Sequence, residues 1–185
     1  MTDGRRPRDL ALLDALDNLE RVSIDRTVWR AVRQDRDPLL GSATAGRWDP
    51  GLFDVLYTSF DRDGAIAEIN FHLQRQPVFP SKLRFTVNEI QVKTRSTLRF
   101  FDINELRPFG VEPEEYAQIL YRRTQDIGDA AAFLGFDAVV APNARWDCLN
   151  LVIFSDRIHP GDLELRNTEL IDFESWRKGR QRGKV

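Results

Sequence analysis

The spacing of apolar positions changes several times along the chain, and each change marks an element. Leu12, Leu16 and Leu19 recur at i, i+4 and i+7 with Leu13 beside them, which predicts an amphipathic helix over residues 9–20 that braces the core. Residues 27–33 (TVWRAVR) are rich in β-branched and aromatic side chains and read as a strand, with Val28, Arg30 and Val32 on one face and Trp29 and Ala31 on the other. Gly, Pro and small polar residues dominate 37–50 (DPLLGSATAGRWDP), so this stretch should be a loop whose backbone fits closely around something. A strand over 55–59 follows. Residues 61–64 interrupt it, and Ala65, Ile66, Ile69 and Leu73 then return at helical spacing, in a helix that ends before Pro77.

Further along, residues 83–92 and 97–101 alternate as strands do, with 93–96 (KTRS) expected to turn between them in a hairpin. Pro113 should start a helix running to Tyr121. Thr124 is placed to cap another, in which Ile127, Ala130, Ala131 and Leu134 face inward before Gly135 stops it. Residues 137–141 and 149–154 read as short buried strands. After Trp176 the run RKGRQRGKV holds five basic residues, no acid and little that is apolar, and reads as a solvated tail. Helices and strands mix without a strict βαβ rhythm, which favours an α+β domain with a mixed or antiparallel sheet over a doubly wound one.

Composition narrows the picture. A chain of 185 residues with no internal repeat or low-complexity linker fits one domain, and 42% hydrophobic residues, with twelve Phe and four Trp, can build its core. The formal charge of −2 gives no field that would gather nucleic acid or anionic lipid, so any anion site must be local. Cys148 is the single cysteine, which excludes an internal disulfide, and two His form no cluster at metal-ligand spacing. Arg5, Arg6 and Arg8 precede an apolar stretch broken by Asp14 and Asp17, unlike a signal peptide, so a cytoplasmic location is expected.

Two residues stand out for chemistry. Arg30 sits on a strand between Val28 and Val32, where a guanidinium is costly unless it meets an anion or several acceptors. An ion pair with one of the 29 acids and a phosphate-bearing ligand are both open readings. Glu68 shares a helix side with Ala65 and His72 at the margin of the apolar stripe, either half shielded from water or as an ordinary surface carboxylate. Arg47, in the Gly-rich loop, is a second candidate anion clamp. His72 and His159 read as structural. The signatures of P-loop, Rossmann, serine-hydrolase and zinc-protease chemistry are all missing.

From Trp29 to Leu73 the blocks W-R, D-P-L, G-R-W, V-L-Y-T-S and A-I-A-E follow in order, and T-Q-D-I-G-D-A-A-A-F-L-G-F-D (124–137) and A-P-N-A-R-W-D-C-L-N-L-V-I-F (141–154) come later. This order resembles the RES-domain family over about residues 25–155. The resemblance frames the chain as a helical brace (1–24), a RES domain (25–175) and a basic tail (176–185). It places the family's arginine on Arg30, its glutamate on Glu68, a pocket tyrosine on Tyr57 and its serine position on Asn143, where this chain departs from the usual P-S-A. Asp49, where Asn often follows G-R-W, is a second departure and would put a negative charge near the phosphate site.

What the resemblance implies is an ADP-ribosyltransferase-like fold and cleavage of NAD at the nicotinamide glycosidic bond, with ADP-ribose passed to phosphate or water. No bound cofactor is required, since NAD is the substrate and inorganic phosphate a co-substrate. Glu68 would stabilise the ribosyl cation, Arg30 hold the diphosphate or incoming phosphate and Tyr57 pack on the nicotinamide or its ribose, with Arg47 and Asn143 completing the dinucleotide grip. Such a toxin would pair with an Xre/MbcA/ParS-type antitoxin whose C-terminal part enters the NAD pocket, and would form homo-oligomers. Transfer of ADP-ribose to a protein, or a non-catalytic binding module, are the competing expectations.

Overall fold

The computed structural model describes residues 7–78, 82–119 and 121–182. Arg5 and Arg6 lie outside them, as does the end of the basic run at 183–185. Among the described residues six strands, β1 (Val22–Arg33), β2 (Val55–Ser59), β3 (Phe85–Arg99), β4 (Ala138–Pro142), β5 (Leu149–Phe154) and β6 (Leu163–Leu170), form one sheet in the order β1-β2-β5-β4-β3-β6. An added β1–β3 pairing closes the first five into a ring. Only β3–β4 is parallel. The inner face of that ring is filled by Val28, Leu56, Ile90, Val92, Ala138, Val140, Leu151 and Ile153, so each of the five strands contributes to one apolar cluster.

Helices cover the outside. α1 (Leu10–Asp17) is capped by Asp9, whose carboxylate accepts from Ala11 N and Leu12 N, and it buries Leu12 and Leu16 against the cluster that includes Ile127, Ala130 and Ala131 of α4 (Arg122–Phe133). α2 (Arg62–Gln74) starts at the Asp61 cap and lays Ala65 and Ile66 on Val87, Trp29 and Ala31. The two faces of β1 thus divide as its alternation predicts, Val28 into the ring and Trp29 and Ala31 under α2.

Several sequence expectations change. The hairpin does not form: β3 runs unbroken through 93–96, because Asp137 Oδ2 accepts from Arg95 N (2.6 Å) and Ser96 N (3.0 Å) while Lys93 N donates to Asp162 O (2.8 Å). One edge of this long strand pairs with β1, and the other serves β6 over Thr86–Val92 and β4 over Thr97–Arg99. The first helix stops at Asp17. The helix begun by Pro113 is a single turn, α3 (Pro113–Tyr116). Thr124 lies inside α4, where its hydroxyl donates to Tyr121 O (2.9 Å).

The basic segment is no simple solvated tail: α5 (Phe173–Arg182) docks on α2, where Arg177 donates to Asn70 Oδ1 through Nε (3.0 Å) and Nη2 (2.7 Å). The sequence reading also missed β6. No helix among the described residues is long and apolar enough to cross a membrane.

Candidate active site

The ladder between β1 and β2 is short, with the register pair Trp29↔Ser59, and the two strands splay apart beyond it. A cavity of about 410 Å³ occupies the split. Trp29, Arg30 and Ala31 line one side, Tyr57, Thr58 and Ser59 the other, with Glu68 and His72 of α2 and Arg47 of the loop closing it. Four of the five residues singled out from the sequence meet there.

Arg30 is held by backbone carbonyls of the loop. Its Nη1 donates to Pro38 O and Leu40 O, both at 2.8 Å, and it forms no ion pair with a described residue. Burial pushes its pKa down to about 10, with Arg36 acting in the same direction and Asp37 against it. The group is still cationic at neutral pH, and neither Nε nor Nη2 donates to a described residue. The loop carbonyls hold the side chain while its charge stays unneutralised.

Tyr57 is gripped by the loop it faces. Its hydroxyl donates to Asp49 Oδ2 (2.7 Å) and accepts from Trp48 N (2.9 Å). Burial, then the Asp49 charge, holds the phenol well above its ordinary pKa, so it remains neutral. Gly46 is required here, since a Cβ would lie 2.4 Å from the Tyr57 hydroxyl oxygen. Asp49 is fully buried, and its carboxylate also accepts from Ala45 N (3.1 Å), Gly46 N (2.8 Å) and Gly51 N (3.0 Å). These bonds shape the loop, including the left-handed backbone at Ala45 (φ 56°).

Glu68 is largely buried, and desolvation raises its pKa above the usual carboxylate value. The Arg47 and Arg145 charges oppose that shift, as do the polar Ala144 backbone and Asn150 side chain nearby. Arg47 donates to Tyr116 O and stacks on Tyr116 and Tyr121, with its guanidinium 4.7 and 4.6 Å from the ring centroids. It therefore approaches the cavity as a restrained cation. His72, one turn after Glu68, lines the wall, with its pKa lowered by burial and then by Arg145, Arg75 and Arg47.

Asn143 is not brought into the cavity. Its Oδ1 accepts from Arg145 N (2.7 Å) and Trp146 N (3.1 Å), and its Nδ2 donates to Asn150 Oδ1 (2.8 Å). Asn150 lines the cavity instead. Sequence reasoning passed over Asn150 and Tyr121, and it took His72 as structural. For His72 the i, i+4 spacing from Glu68 was a usable signal. His159 lies by the 159–162 turn, where its N–H donates to Asp162 Oδ2 (3.2 Å), away from the cavity.

An α+β domain with a mixed sheet, split to hold a pocket where two arginines meet one shielded carboxylate, is the class that fold and site define. The chain belongs to the RES domain family, whose profile matches residues 27–173. Among its relatives is the NAD(+) phosphorylase MbcT of Mycobacterium tuberculosis, 24% identical over 167 residues that cover 86% of this chain and 90% of that protein. The same protein from Mycobacterium bovis matches equally. A chain in the crystal structure of the M. tuberculosis MbcT–MbcA toxin–antitoxin complex superposes with a TM-score of 0.81 at 22% identity, over 92% of this chain and 97% of that one. The α+β fold expected from the sequence is thereby borne out.

Proposed function

We propose that this chain degrades NAD as the toxin of a toxin–antitoxin pair, breaking the bond between nicotinamide and ribose. The observation that carries the reading is the convergence of Arg30, Arg47, Tyr57 and Glu68 on one cavity. A relative bearing the printed name NAD(+) phosphorylase supports the substrate, and the fold shared with a chain of a toxin–antitoxin complex supports the partner.

The chemistry suits what lines the cavity. Nicotinamide departs as a neutral ring, taking the electron pair of the C–N bond, so no general acid is needed. Positive charge develops at the ribosyl carbon, and an ionised Glu68 lowers the energy of that charge more than that of the ground state. Arg30 and Arg47 are cations held by carbonyls and rings rather than by acids, and they bind the diphosphate. Tyr57, locked by Asp49, packs against the ribose. An oxygen of inorganic phosphate then bonds to the ribosyl carbon, giving ADP-ribose 1″-phosphate and nicotinamide; water in its place gives ADP-ribose and a proton. An antitoxin segment entering the cavity would exclude the dinucleotide.

The test is NAD consumption by the purified chain, freed of any antitoxin, in phosphate and in phosphate-free buffer, with products separated and counted. Faster loss in phosphate with a phosphorylated ADP-ribose product is expected. Full NAD loss from folded Glu68→Gln would sink the mechanism, and a labelled acceptor protein with no free ADP-ribose would replace it with protein modification.

A further inference from the structure

With Arg30 and Arg47 given to the diphosphate, the incoming anion of a phosphorolysis still needs a cationic place beside the cavity. Three groups gather around the ring of Phe71 on α2. The Arg145 guanidinium lies 3.5 Å from the ring centroid and that of Arg75 5.5 Å, while the His72 imidazole meets the ring edge-on with centroids 5.6 Å apart. His72 lines the cavity that holds Glu68, so Phe71 carries two cations up to its wall. A second route leads from Arg145 to the same wall: its backbone N–H donates to Asn143 Oδ1 (2.7 Å), Asn143 Nδ2 donates to Asn150 Oδ1 (2.8 Å), and Asn150 lines the cavity.

Neither arginine has an acid to neutralise it. Among the described residues neither guanidinium forms an ion pair, and Arg145 Nε is buried without a hydrogen-bond partner. Arg75 sits at the C-cap of α2, where the helix dipole favours a cation for its own sake. Arg145 has no such reason to be there: it belongs to the turn between β4 and β5 and lies over a ring of α2, which orients the guanidinium without cancelling its charge. Burial, then the charges of Arg145, Arg75 and Arg47, hold His72 below the ordinary histidine pKa, although Glu68 stands one turn before it on α2. At pH 7 the imidazole is neutral and offers one N–H donor.

We infer that Arg145, Arg75 and His72 form the subsite for inorganic phosphate, separate from the diphosphate grip of Arg30 and Arg47, an assignment that rests on the NAD cleavage proposed above. The hydrogen phosphate dianion held there uses an oxygen lone pair to form the bond to the ribosyl carbon. The electron pair of the C–N bond leaves with nicotinamide, and the proton of hydrogen phosphate stays on the new ester until solvent takes it. Arg145 and Arg75 also offset the repulsion between the dianion and the Glu68 carboxylate, which would otherwise keep the two anions apart.

The chain has two histidines, His72 and His159, so imidazole NMR can watch the subsite directly, with His159→Gln assigning the signals. In the purified chain freed of antitoxin, inorganic phosphate at constant ionic strength should raise the His72 titration by about half a pH unit or more, saturably, because a bound dianion favours imidazolium. His159 should not respond. Arg145→Met keeps an apolar contact to Phe71 and removes the charge. In that variant and in Arg75→Met, with folding checked by thermal melts, the His72 titration should start higher, and saturation should need about tenfold more phosphate. In turnover, KM for phosphate should rise about tenfold or more in Arg145→Met while KM for NAD rises far less.

A His72 signal that ignores phosphate, or that saturates at the same concentration in both folded variants, overturns the subsite even where phosphate accelerates NAD loss. So does a rise in KM for NAD in place of phosphate, which would give these arginines to the dinucleotide. Saturable phosphate binding at His72 with no NAD cleavage by the wild-type chain overturns the proposed function and leaves the anion subsite standing.

Discussion

Charged groups are treated differently at the cavity and elsewhere on the molecule. Arg95 meets Asp162 through two hydrogen bonds, Nη1–Oδ2 at 2.6 Å and Nη2–Oδ1 at 3.0 Å, and the guanidinium holds the Asp162 carboxyl below its ordinary pKa. Arg8 and Asp129 pair in the same two-point way. None of these four lines the cavity that holds Glu68, and each charge is cancelled by its partner. At the cavity, Arg30 is held by two carbonyls and Arg47 by a carbonyl and two rings. Neutral dipoles fix the direction of a side chain without cancelling its charge.

Substitutions can break this contrast, and Glu68→Gln should have the largest effect. It keeps the shape and removes the charge, so NAD cleavage should fall about a hundredfold or more, with the acid limb of the rate profile abolished. Stability should move the opposite way. The folded pKa of Glu68 lies above its unfolded value, so the ionised group costs stability at neutral pH, and that cost fades as pH falls through the folded pKa. Glu68→Gln should therefore unfold at higher urea concentration than wild type at pH 7, with the difference vanishing in acid; a lower midpoint at pH 7 would show that Glu68 is stabilised by its surroundings instead.

Next in size is Asp49→Ala, which strips the acceptor from four groups at once: Ala45 N, Gly46 N, Gly51 N and the Tyr57 hydroxyl. A loss of about 3 kcal/mol or more is expected in chemical denaturation, because buried donors are left without partners. Arg30→Lys sharpens the contrast further. The ammonium can satisfy Pro38 O and Leu40 O but has no fork left for a phosphate, so KM for NAD should rise about tenfold with a smaller change in kcat. Equal losses in both would move Arg30 from substrate binding to the transition state.

The smallest effect is expected from Arg95→Ala, which should leave NAD cleavage within about twofold of wild type. Asp162 has its folded pKa below the unfolded value, so the pair supports the fold above the unfolded pKa and loses that support as pH falls through the folded one, the reverse of Glu68. The pH dependence of the urea midpoint in Arg95→Ala checks that sign.

Much of the site was legible before any coordinates. Arg30, Arg47, Tyr57 and Glu68 fall on segments whose ordered blocks mark the family, and all four converge. Asn143, placed at the ligand by the family's serine position, hydrogen-bonds to Arg145 N, Trp146 N and Asn150 and lies outside the cavity's lining. Asn150 gave no local sign, since a lone polar residue in a buried strand reads the same whether it faces a ligand, a helix or a partner amide.

The sequence by itself determined the alternation of β1, the helical spacing of α2 and α4, the short buried strands β4 and β5 and the mixed α+β class, because these depend on periods of a few residues that local sterics and burial enforce. Only the tertiary structure decided that KTRS stays extended, that β6 joins the sheet and that α5 docks through Arg177 and Asn70. In each case the decisive partner lies dozens of residues away: Asp137 for the amides of 95 and 96, β3 for β6, α2 for α5. A charged or polar residue shows its donors and acceptors in the sequence, but the chain must close before it is known which of them remain for a ligand.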